Sequence, residues 1–203
     1  MSTTRTTLRT HWVALRAMLV FTAVLGLAYP LAVTVIGQVA LPAQANGSLV
    51  RNADGEVVGS AFIGQSFTDA AGEPLPEWFQ SRPSAAGDGY DGGASGGSNL
   101  GPENEDLVVA ITERRAAAAA LEGVDEVDVP ADAVTASASG LDPHISPEYA
   151  LLQVDRVAEA RGLDEADVRA LVDDFVQAPD LGFLGSPTVN VLSLNLALAE
   201  MGD

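Results

Sequence analysis

The chain has 203 residues, which is long enough for one domain with its own hydrophobic core. Its 28 acidic and ten basic residues give a formal charge of −18. All ten basic residues are arginines, and the lack of lysine excludes a Walker A phosphate loop. The lack of cysteine excludes disulfides, thiol catalysis and cysteine-ligated metal sites, and so acidic a chain is expected to have no nucleic-acid partner.

A long uncharged run near the N-terminus is the first feature of the chain. Ala17–Ile36 holds twenty residues without a charge, and its apolar character extends to about Ala40. At about 1.5 Å per residue, twenty helical residues cover the roughly 30 Å hydrocarbon core of a bilayer. The run therefore predicts a transmembrane helix over residues 17–40. Pro30 is expected to kink this helix and free a carbonyl, which is tolerated when another membrane helix packs alongside.

The same run allows a second interpretation, a cleaved signal peptide. Ala43-Gln44-Ala45 has the small-x-small form of a cleavage site. A signal sequence usually carries about 7–15 apolar residues, and the run here is longer. Its length therefore favours a retained helix.

The charges on either side of the helix predict its orientation. Residues 1–16 contain three arginines and no acid, so the positive-inside rule makes them a cytoplasmic tail. Residues 44–203 then form an extracytoplasmic acidic domain. From residue 17 onward, seven arginines stand against 28 acidic residues, a net charge of −21. We expect a single-pass cell-membrane protein of the α+β class, with one N-terminal transmembrane helix followed by one mixed α/β domain.

Turn residues divide the first part of this domain. Two apolar runs, Ser48–Val50 and Glu56–Gly64, flank Asn52–Gly55, whose Asp-Gly pair is typical of a β-hairpin. The stretch from Gln65 to Glu77 is predicted to be mostly turn. Trp78-Phe79 then follows as an expected apolar anchor.

Residues 82–101 form a long loop rich in glycine and serine. Such a composition is typical of a flexible linker, yet Arg82, Tyr90 and Asp91 are interspersed, which a featureless linker does not need. We therefore expect that disrupting Arg82 or Tyr90-Asp91 impairs the function of the chain, which would not happen if the loop were a mere linker. Gly87–Gly92 matches G-x-G-x-x-G, but this is a weak indication of a dinucleotide site because no strand clearly precedes it and no helix opens at its third glycine.

Capping residues predict four helices in the second half of the domain. They cover about Pro102–Leu121 led in by Asn99 or Gly101 and ended by Gly123, about Ser146–Arg161 ended by Gly162, a segment capped by Asp164 and stopped by Pro179, and Thr188–Met201 after Ser186-Pro187. Leu107, Val108 and Ile111 are expected to form the apolar stripe of the first. Alternating apolar residues predict a strand within 124–139, and the alternating leucines after residue 191 leave a strand open there as well.

Few residues could carry catalysis. The predicted outer domain has one histidine, His144, close in sequence to Asp142 and to Ser137, Ser139 and Ser146. Spacing alone does not make a serine-hydrolase triad and no G-x-S-x-G motif is present, so we interpret the group as a tight turn before a helix. A lone histidine does not suffice for a metal site, and no pair of carboxylates stands out as a glycosidase pair. We predict no catalytic and no metal-binding residues, and the sequence assigns no cofactor-binding residue.

Several longer blocks of sequence are distinctive together. They are Gly59–Phe67, Arg82–Gly87, Gly89–Asp91, Ala94–Pro102, Val134–Pro147, the Gln153–Arg161 helix and Val189–Leu198. In this order they resemble the C subunit of the Kdp potassium-transporting ATPase. The resemblance covers the chain from the membrane helix to near the C-terminus.

The resemblance implies a non-catalytic accessory subunit of a high-affinity, ATP-driven potassium uptake complex. Its implied partners are a channel-like potassium-binding subunit, a P-type ATPase subunit and a small single-span subunit. The chain lacks the Asp-Lys-Thr-Gly-Thr phosphorylation motif, as a chain without lysine must. The family is described as a catalytic chaperone that raises the ATP affinity of the ATPase subunit, so no cofactor of its own is expected, and ATP enters only through that partner.

Two hypotheses therefore stand side by side. The first is the membrane-anchored transport subunit. The alternative is a secreted soluble hydrolase or binding protein, released after Ala45. A soluble protein that begins at Asn46 would contradict the first hypothesis.

Overall fold

The computed structural model describes residues 3–201, with side chains described from Thr7 onward. It separates into two units, which meet in the chain between Ser48 and Leu49. Mixed helix and sheet follow one long apolar N-terminal helix, as the sequence predicts.

The first unit is a helical rod. It consists of α1 (Thr3–Phe21), a π-helical segment (Thr22–Ala28), α2 (Tyr29–Ala40) and the single turn α3 (Pro42–Ala45). The stretch Thr7–Ala40 is long and apolar enough to cross a membrane, and its side chains are exposed. The helix begins well before residue 17, so most of the predicted tail is helical. The residues that directly follow the predicted transmembrane helix form α3.

The π-helical segment is how this helix accommodates Pro30. The proline has no N–H to donate, and its ring would collide with the carbonyl four residues before it in a regular α-helix. Here the turn before it is widened, and the Tyr29 N–H donates to the Val24 carbonyl, five residues back. The Thr34 hydroxyl donates to the Pro30 carbonyl at 2.8 Å. The departure from α-helical geometry expected at Pro30 is therefore a π-bulge.

The second unit contains two small antiparallel sheets and six α-helices within the described residues. Its strands are β1 (Leu49–Arg51), β2 (Val57–Ser60), β3 (His144–Ile145), β4 (Val176–Gln177) and β5 (Thr188–Asn190). Its helices are α4 (Glu105–Glu122), α5 (Ala131–Val134), α6 (Pro147–Leu152), α7 (Val154–Arg161), α8 (Glu165–Asp174) and α9 (Val191–Met201), with a 3-10 turn at Glu126–Asp128.

The strands of both sheets pair antiparallel. Strands β1 and β2 form the predicted hairpin, with Leu49 opposite Ser60 and a turn closed by the Gly55 N–H on the Asn52 carbonyl at 2.9 Å. The other sheet has the order β3-β5-β4, with Val189 of β5 between Ile145 and Val176.

Helix caps explain most of the boundaries. Ser146 and Asp164 accept backbone N–H groups at the starts of α6 and α8, as predicted, and Gly123 and Gly162 end α4 and α7 in the left-handed conformation.

Three predicted boundaries are wrong. Helix α4 begins after Asn104, whose side chain accepts two N–H groups, rather than at Pro102. The predicted second helix is interrupted at Gln153, between α6 and α7. The predicted last helix begins at Val191, because residues 188–190 pair as β5.

The strand predicted within 124–139 is also wrong. This segment forms the 3-10 turn and α5, and Val127, which alternation placed on one face with Val129, is 86% exposed whereas Val129 is 8% exposed. The stripe predicted on α4 is only half right, because Val108 is exposed and Ala119 is the buried residue of that helix.

The core of the second unit lies among its C-terminal helices and the β3-β5-β4 sheet. Its largest fully buried apolar side chains are Phe79, Ile145, Leu194, Leu198 and the valines 134, 154, 157, 168, 172, 189 and 191. Phe79 comes from the loop region, which confirms half of the predicted Trp78-Phe79 anchor, while Trp78 is half-buried.

Candidate functional site

The glycine- and serine-rich loop is held against the segment before β3. We call the two paired stretches, residues 82–97 and 135–142, the loop clasp. The Arg82 guanidinium contributes an ion pair to Asp142, with Nη1 and Oδ2 3.0 Å apart. Its Nε and Nη2 both donate to the Thr135 carbonyl, at 3.2 and 3.1 Å. Arg82 thus joins the two stretches of the clasp by an ion pair to Asp142 and by two hydrogen bonds to the Thr135 carbonyl.

Ser84 and Tyr90 fold the loop back on itself. The Ser84 hydroxyl donates to the Gly140 carbonyl at 2.6 Å and accepts the N–H groups of Ala86 and Tyr90. The Tyr90 hydroxyl donates to the Arg82 carbonyl at 2.7 Å, and burial raises the pKa of Tyr90 to about 12. Tyr90 has φ +55°, an uncommon conformation for a non-glycine residue. Arg82 and Tyr90, both singled out from the sequence, therefore lie in one network.

Two glycines allow the closest approaches in the clasp. A Cβ on Gly140, at φ +67°, would lie 2.7 Å from the Ala86 nitrogen and from the Gly96 carbonyl oxygen. A Cβ on Gly64 would overlap the Tyr90 ring and lie 2.8 Å from the Asp142 carbonyl oxygen. The Gly96 N–H also donates to the Ser139 carbonyl at 2.8 Å. The clasp is therefore a fixed structure, and the linker interpretation of residues 82–101 does not hold for its first part.

His144 belongs to the same network through Asp142. The Asp142 Oδ1 accepts the His144 backbone N–H at 3.0 Å and lies 3.2 Å from the His144 Nδ1. Burial opposes ionisation of Asp142, but the hydrogen bonds from His144 and the charge of Arg82 outweigh it and lower the pKa of this carboxyl. Asp142 thus bonds a nearby backbone group, as interpreted from the sequence, but His144 lies in strand β3 rather than in a tight turn.

The nearby serines serve turns and caps. The Ser146 hydroxyl donates to Asp132 at 2.9 Å and accepts the Tyr149 N–H at 3.0 Å, while Ser137 and Ser139 contact each other at 3.3 Å. The structure gives His144 a carboxylate partner but brings none of these hydroxyls within hydrogen-bonding distance of it. Across residues 3–201, no group of three or more His, Cys, Asp or Glu is placed to hold a metal ion.

Two buried amides form a second network, which the sequence analysis missed. Asn195 accepts the Phe79 N–H and donates to the Phe79 carbonyl, both at 2.9 Å. Gln153 does the same for Gln80, at 2.6 and 3.2 Å. Each amide therefore pairs with the backbone as a neighbouring strand would. The only sequence signal was a polar residue in an otherwise apolar helical stretch.

Two arginines of α7 hold the chain just before these residues. Arg156 donates to the Pro76 and Trp78 carbonyls and forms a buried pair with Glu122, Nε to Oε2 2.9 Å. Arg161 donates to the Glu77 carbonyl at 2.7 Å, and its guanidinium lies 4.2 Å from the centre of the Trp78 ring.

Glu122 is incompletely satisfied. Its side chain is fully buried, and its Oε1 has no hydrogen-bond partner in the described structure. Burial raises the pKa of Glu122, although Arg156 opposes this.

A polar cavity of about 310 Å³ adjoins the clasp. Its lining includes Ser66, Thr68, Gln80, Arg82 and Tyr90. The Arg82 guanidinium is already engaged by Asp142 and Thr135, so the cation of this cavity is internally neutralised. The arrangement can hold loops in fixed positions and present a shaped surface. It supplies no paired nucleophile and base among the residues described.

Comparison with known proteins places the chain in a family. The family model described as "KdpC: K+-transporting ATPase, c chain" matches residues 11–200. The chain is 59% identical over 191 residues to the potassium-transporting ATPase KdpC subunit of Kineococcus radiotolerans, covering 94% of this chain and 93% of that protein. It is 59% identical over 186 residues to the KdpC subunit of Caulobacter vibrioides, covering 91% and 90%. The KdpC subunit of Mycobacterium bovis is 52% identical over 189 residues, covering 93% and 96%.

These matches span nearly the whole chain and nearly the whole of each relative. They confirm the resemblance drawn from the sequence blocks, and they favour the transport subunit over the secreted hydrolase. The chain belongs to the KdpC family, whose members are the non-catalytic C subunit of the multi-subunit potassium-transporting Kdp ATPase.

Proposed function

We propose that this chain is the single-span accessory subunit that stabilises assembly of its potassium-uptake complex. Two observations together carry the proposal. The chain matches the Kdp family model, and its apolar helix of 34 residues, Thr7–Ala40, has no side chain buried against the rest of the chain. An apolar surface of this kind needs lipid or other membrane helices around it. Gly26 on that helix would let a neighbouring helix approach closely.

The proposed topology has residues 1–16 in the cytoplasm and the second unit outside. It rests on Arg5, Arg9 and Arg16 before the span and on the acidic excess after it. The proposed partners are the channel-like potassium-binding subunit, the P-type ATPase subunit and the small single-span subunit. The second unit would cover the outer mouth of the channel-like subunit. Its described residues hold the clasp and form no catalytic constellation.

The family's implied effect on ATP affinity fits this proposal only indirectly. ATP is cytoplasmic, whereas the second unit lies outside in the proposed topology. We therefore propose that the chain raises the ATP affinity of the ATPase subunit through the assembled complex, without a nucleotide site in residues 49–201. ATPase titrations of the complex with and without this subunit would test the effect, and nucleotide crosslinking to this chain would contradict the indirect route.

Co-purification is the primary test of the proposed function. The chain is tagged at its C-terminus, membranes are extracted in mild detergent, and the proteins recovered with it are identified. We expect a P-type ATPase and a large channel-like subunit. Recovery of the chain alone from the soluble fraction would overturn the proposal.

The clasp supplies a second readout of the same proposal. Arg82→Ala removes the ion pair to Asp142 and both hydrogen bonds to Thr135, so we expect less complex and slower growth when potassium is limiting. Arg169→Ala is the matched control, because its ion pairs with Asp155 and Glu165 are on the exposed surface. Equal complex yield and equal growth for the two variants would show that the clasp does not contribute to assembly.

A further inference from the structure

A short apolar turn between β4 and β5 is unusually exposed. Leu181 is 82% exposed, Phe183 73% and Leu184 52%, so three large apolar side chains face solvent within four residues. We call residues Leu181–Leu184 the apolar turn. Large apolar side chains scattered singly on a surface are ordinary, but a cluster of them marks an interaction site.

The backbone of the apolar turn is fixed. The Asp180 N–H donates to the Leu184 carbonyl at 3.0 Å, and the Leu184 N–H donates back to the Asp180 carbonyl at 2.9 Å. Leu181 has φ +54°, a conformation that costs a leucine free energy, and Gly182 follows at φ +80°. A closed turn of this kind holds its backbone in one conformation, which lowers the backbone entropy lost on binding.

The segment that leads into the apolar turn is acidic. Asp180 is exposed and directly precedes the turn, and Asp173 and Asp174 are exposed earlier in the same segment, at the end of α8. The sequence has no basic residue after Arg169. An open groove of about 290 Å³ adjoins the turn and is lined by Asp180 and Leu184 together with His144, Gln177, Ser186 and Thr188. The surface therefore combines an apolar projection with the exposed carboxylate of Asp180 and a polar groove.

We infer that the apolar turn inserts into an apolar pocket with a basic rim on another subunit of the same transport complex. This inference rests on the proposed function and names a contact for it. Leu181 and Phe183 would supply the buried apolar area, and Asp180 would pair with an arginine or lysine at the rim. Interface anchors of this kind are apolar side chains in a desolvated pocket surrounded by polar contacts.

Charge favours another subunit of the complex over a lipid surface or a second copy of this chain as the partner of the apolar turn. Anionic lipid headgroups would be repelled by Asp180 and by the acidic excess of the chain after residue 16. A second copy of this chain offers the same acidic surroundings, with a net charge of −21 after residue 16. A protein surface with basic side chains complements the turn, and like-charge contacts would oppose the alternatives.

A photocrosslinking amino acid at Phe183 tests which occupant is present. The full-length tagged chain is expressed with its complex, irradiated in membranes and purified. A crosslink to another subunit of the complex supports the inference. A crosslink to lipid or to a second copy overturns it, as does the absence of any crosslink in a complex that co-purifies intact.

Variants measure what the turn contributes. Leu181→Asn with Phe183→Ser removes the two most exposed of the three apolar side chains. Asparagine accepts the left-handed conformation at residue 181, so the turn should keep its shape. We expect at least a tenfold loss of recovered complex, from the general contribution of buried apolar side chains. Asp180→Arg should also reduce recovery by reversing the charge at the rim.

Matched controls come from the 3-10 turn. Val127→Ser removes a side chain that is 86% exposed, and Asp128→Arg reverses a charge on an exposed neighbour. Both should leave recovery unchanged. If the wild-type chain recovers no partner, the proposed function fails and the inference fails with it. If the wild-type chain and the apolar-turn variants recover partners equally, only the inference is overturned.

Discussion

Single residues in the clasp differ from similar residues elsewhere by what surrounds them. Gly140 and Gly123 have nearly the same φ, +67° and +68°, both in the left-handed region. A Cβ at Gly140 would meet Ala86 and Gly96 at 2.7 Å, whereas a Cβ at Gly123 would meet nothing within 4 Å. The pair therefore separates the cost of the left-handed conformation from the cost of a collision.

We expect Gly140→Ala to lower the free energy of unfolding by about 2–4 kcal/mol, since strain and overpacking add. Gly123→Ala should cost about 1–2 kcal/mol, from the conformation alone. Thermal unfolding of the full chain in detergent would show this as melting temperatures that fall by about 2–4 °C per kcal/mol. Equal shifts for the two variants would mean that the clasp is not closely packed at Gly140.

Asp142 gives the clasp a dependence on pH. Because its pKa is lowered in the folded chain, its ion pair and hydrogen bonds stabilise the fold above the ordinary carboxyl pKa of 3.8. This stabilisation is lost as the pH falls through the lowered pKa. Asp142 is partly exposed, so solvent screening limits the effect to about 1 kcal/mol.

Asp142→Asn should therefore be less stable than the wild type at pH 7 by about 1 kcal/mol, and the difference should shrink below about pH 4. Urea unfolding of the two proteins at a series of pH values measures it. Asp173→Asn, at an exposed position, is the control and should differ little from the wild type throughout. A difference that stays constant down to pH 3 would contradict the role given to the carboxylate.

At the scale of elements, the sequence correctly predicted those boundaries that depend on residues close together in the chain. The hairpin at residue 49, the caps at Ser146 and Asp164 and the glycine ends of α4 and α7 follow from side chains bonding their own neighbours in sequence. In the site, Arg82 and Tyr90 could be singled out because a flexible linker does not need them.

The failures share a different cause, which is distance along the chain. Residues 188–190 form a strand because β3, more than 40 residues earlier, pairs with them. Alternation within 124–139 predicted a strand, but no partner strand is present there and the segment turns into α5 instead. The amides of Asn195 and Gln153 bond residues 116 and 73 positions away. No local pattern carries such pairings, because tertiary contacts decide them.

The Asn195 pairing joins α9 to the loop that contains Phe79. Asn195→Leu would leave the buried Phe79 N–H and carbonyl without these partners, so we expect the free energy of unfolding to fall by about 2–4 kcal/mol. Chemical unfolding of the full chain would measure it. Ser193→Ala on the same helix, at a half-buried position, should cost less than about 1 kcal/mol. Equal losses would show that the amide is not what fixes this loop.

At the scale of the whole molecule, two regions of opposite character follow each other in the chain. The apolar helix Thr7–Ala40 carries basic residues at its start, whereas the unit after it is strongly acidic and has its own core. Lipid around the helix and water around the acidic unit would satisfy both. The family gives the membrane setting, and the charge asymmetry gives the proposed direction across it.

That direction can be measured cleanly because the chain has no cysteine. Val127→Cys places a single thiol at a position that is 86% exposed in the second unit, and Thr4→Cys places one before the span. In spheroplasts, a membrane-impermeant thiol reagent should label the cysteine at 127 at once, and the one at 4 only after the membrane is opened. The unsubstituted chain is the control and should remain unlabelled. Labelling in the reverse order would overturn the topology, and with it the argument that ATP is out of reach of the second unit.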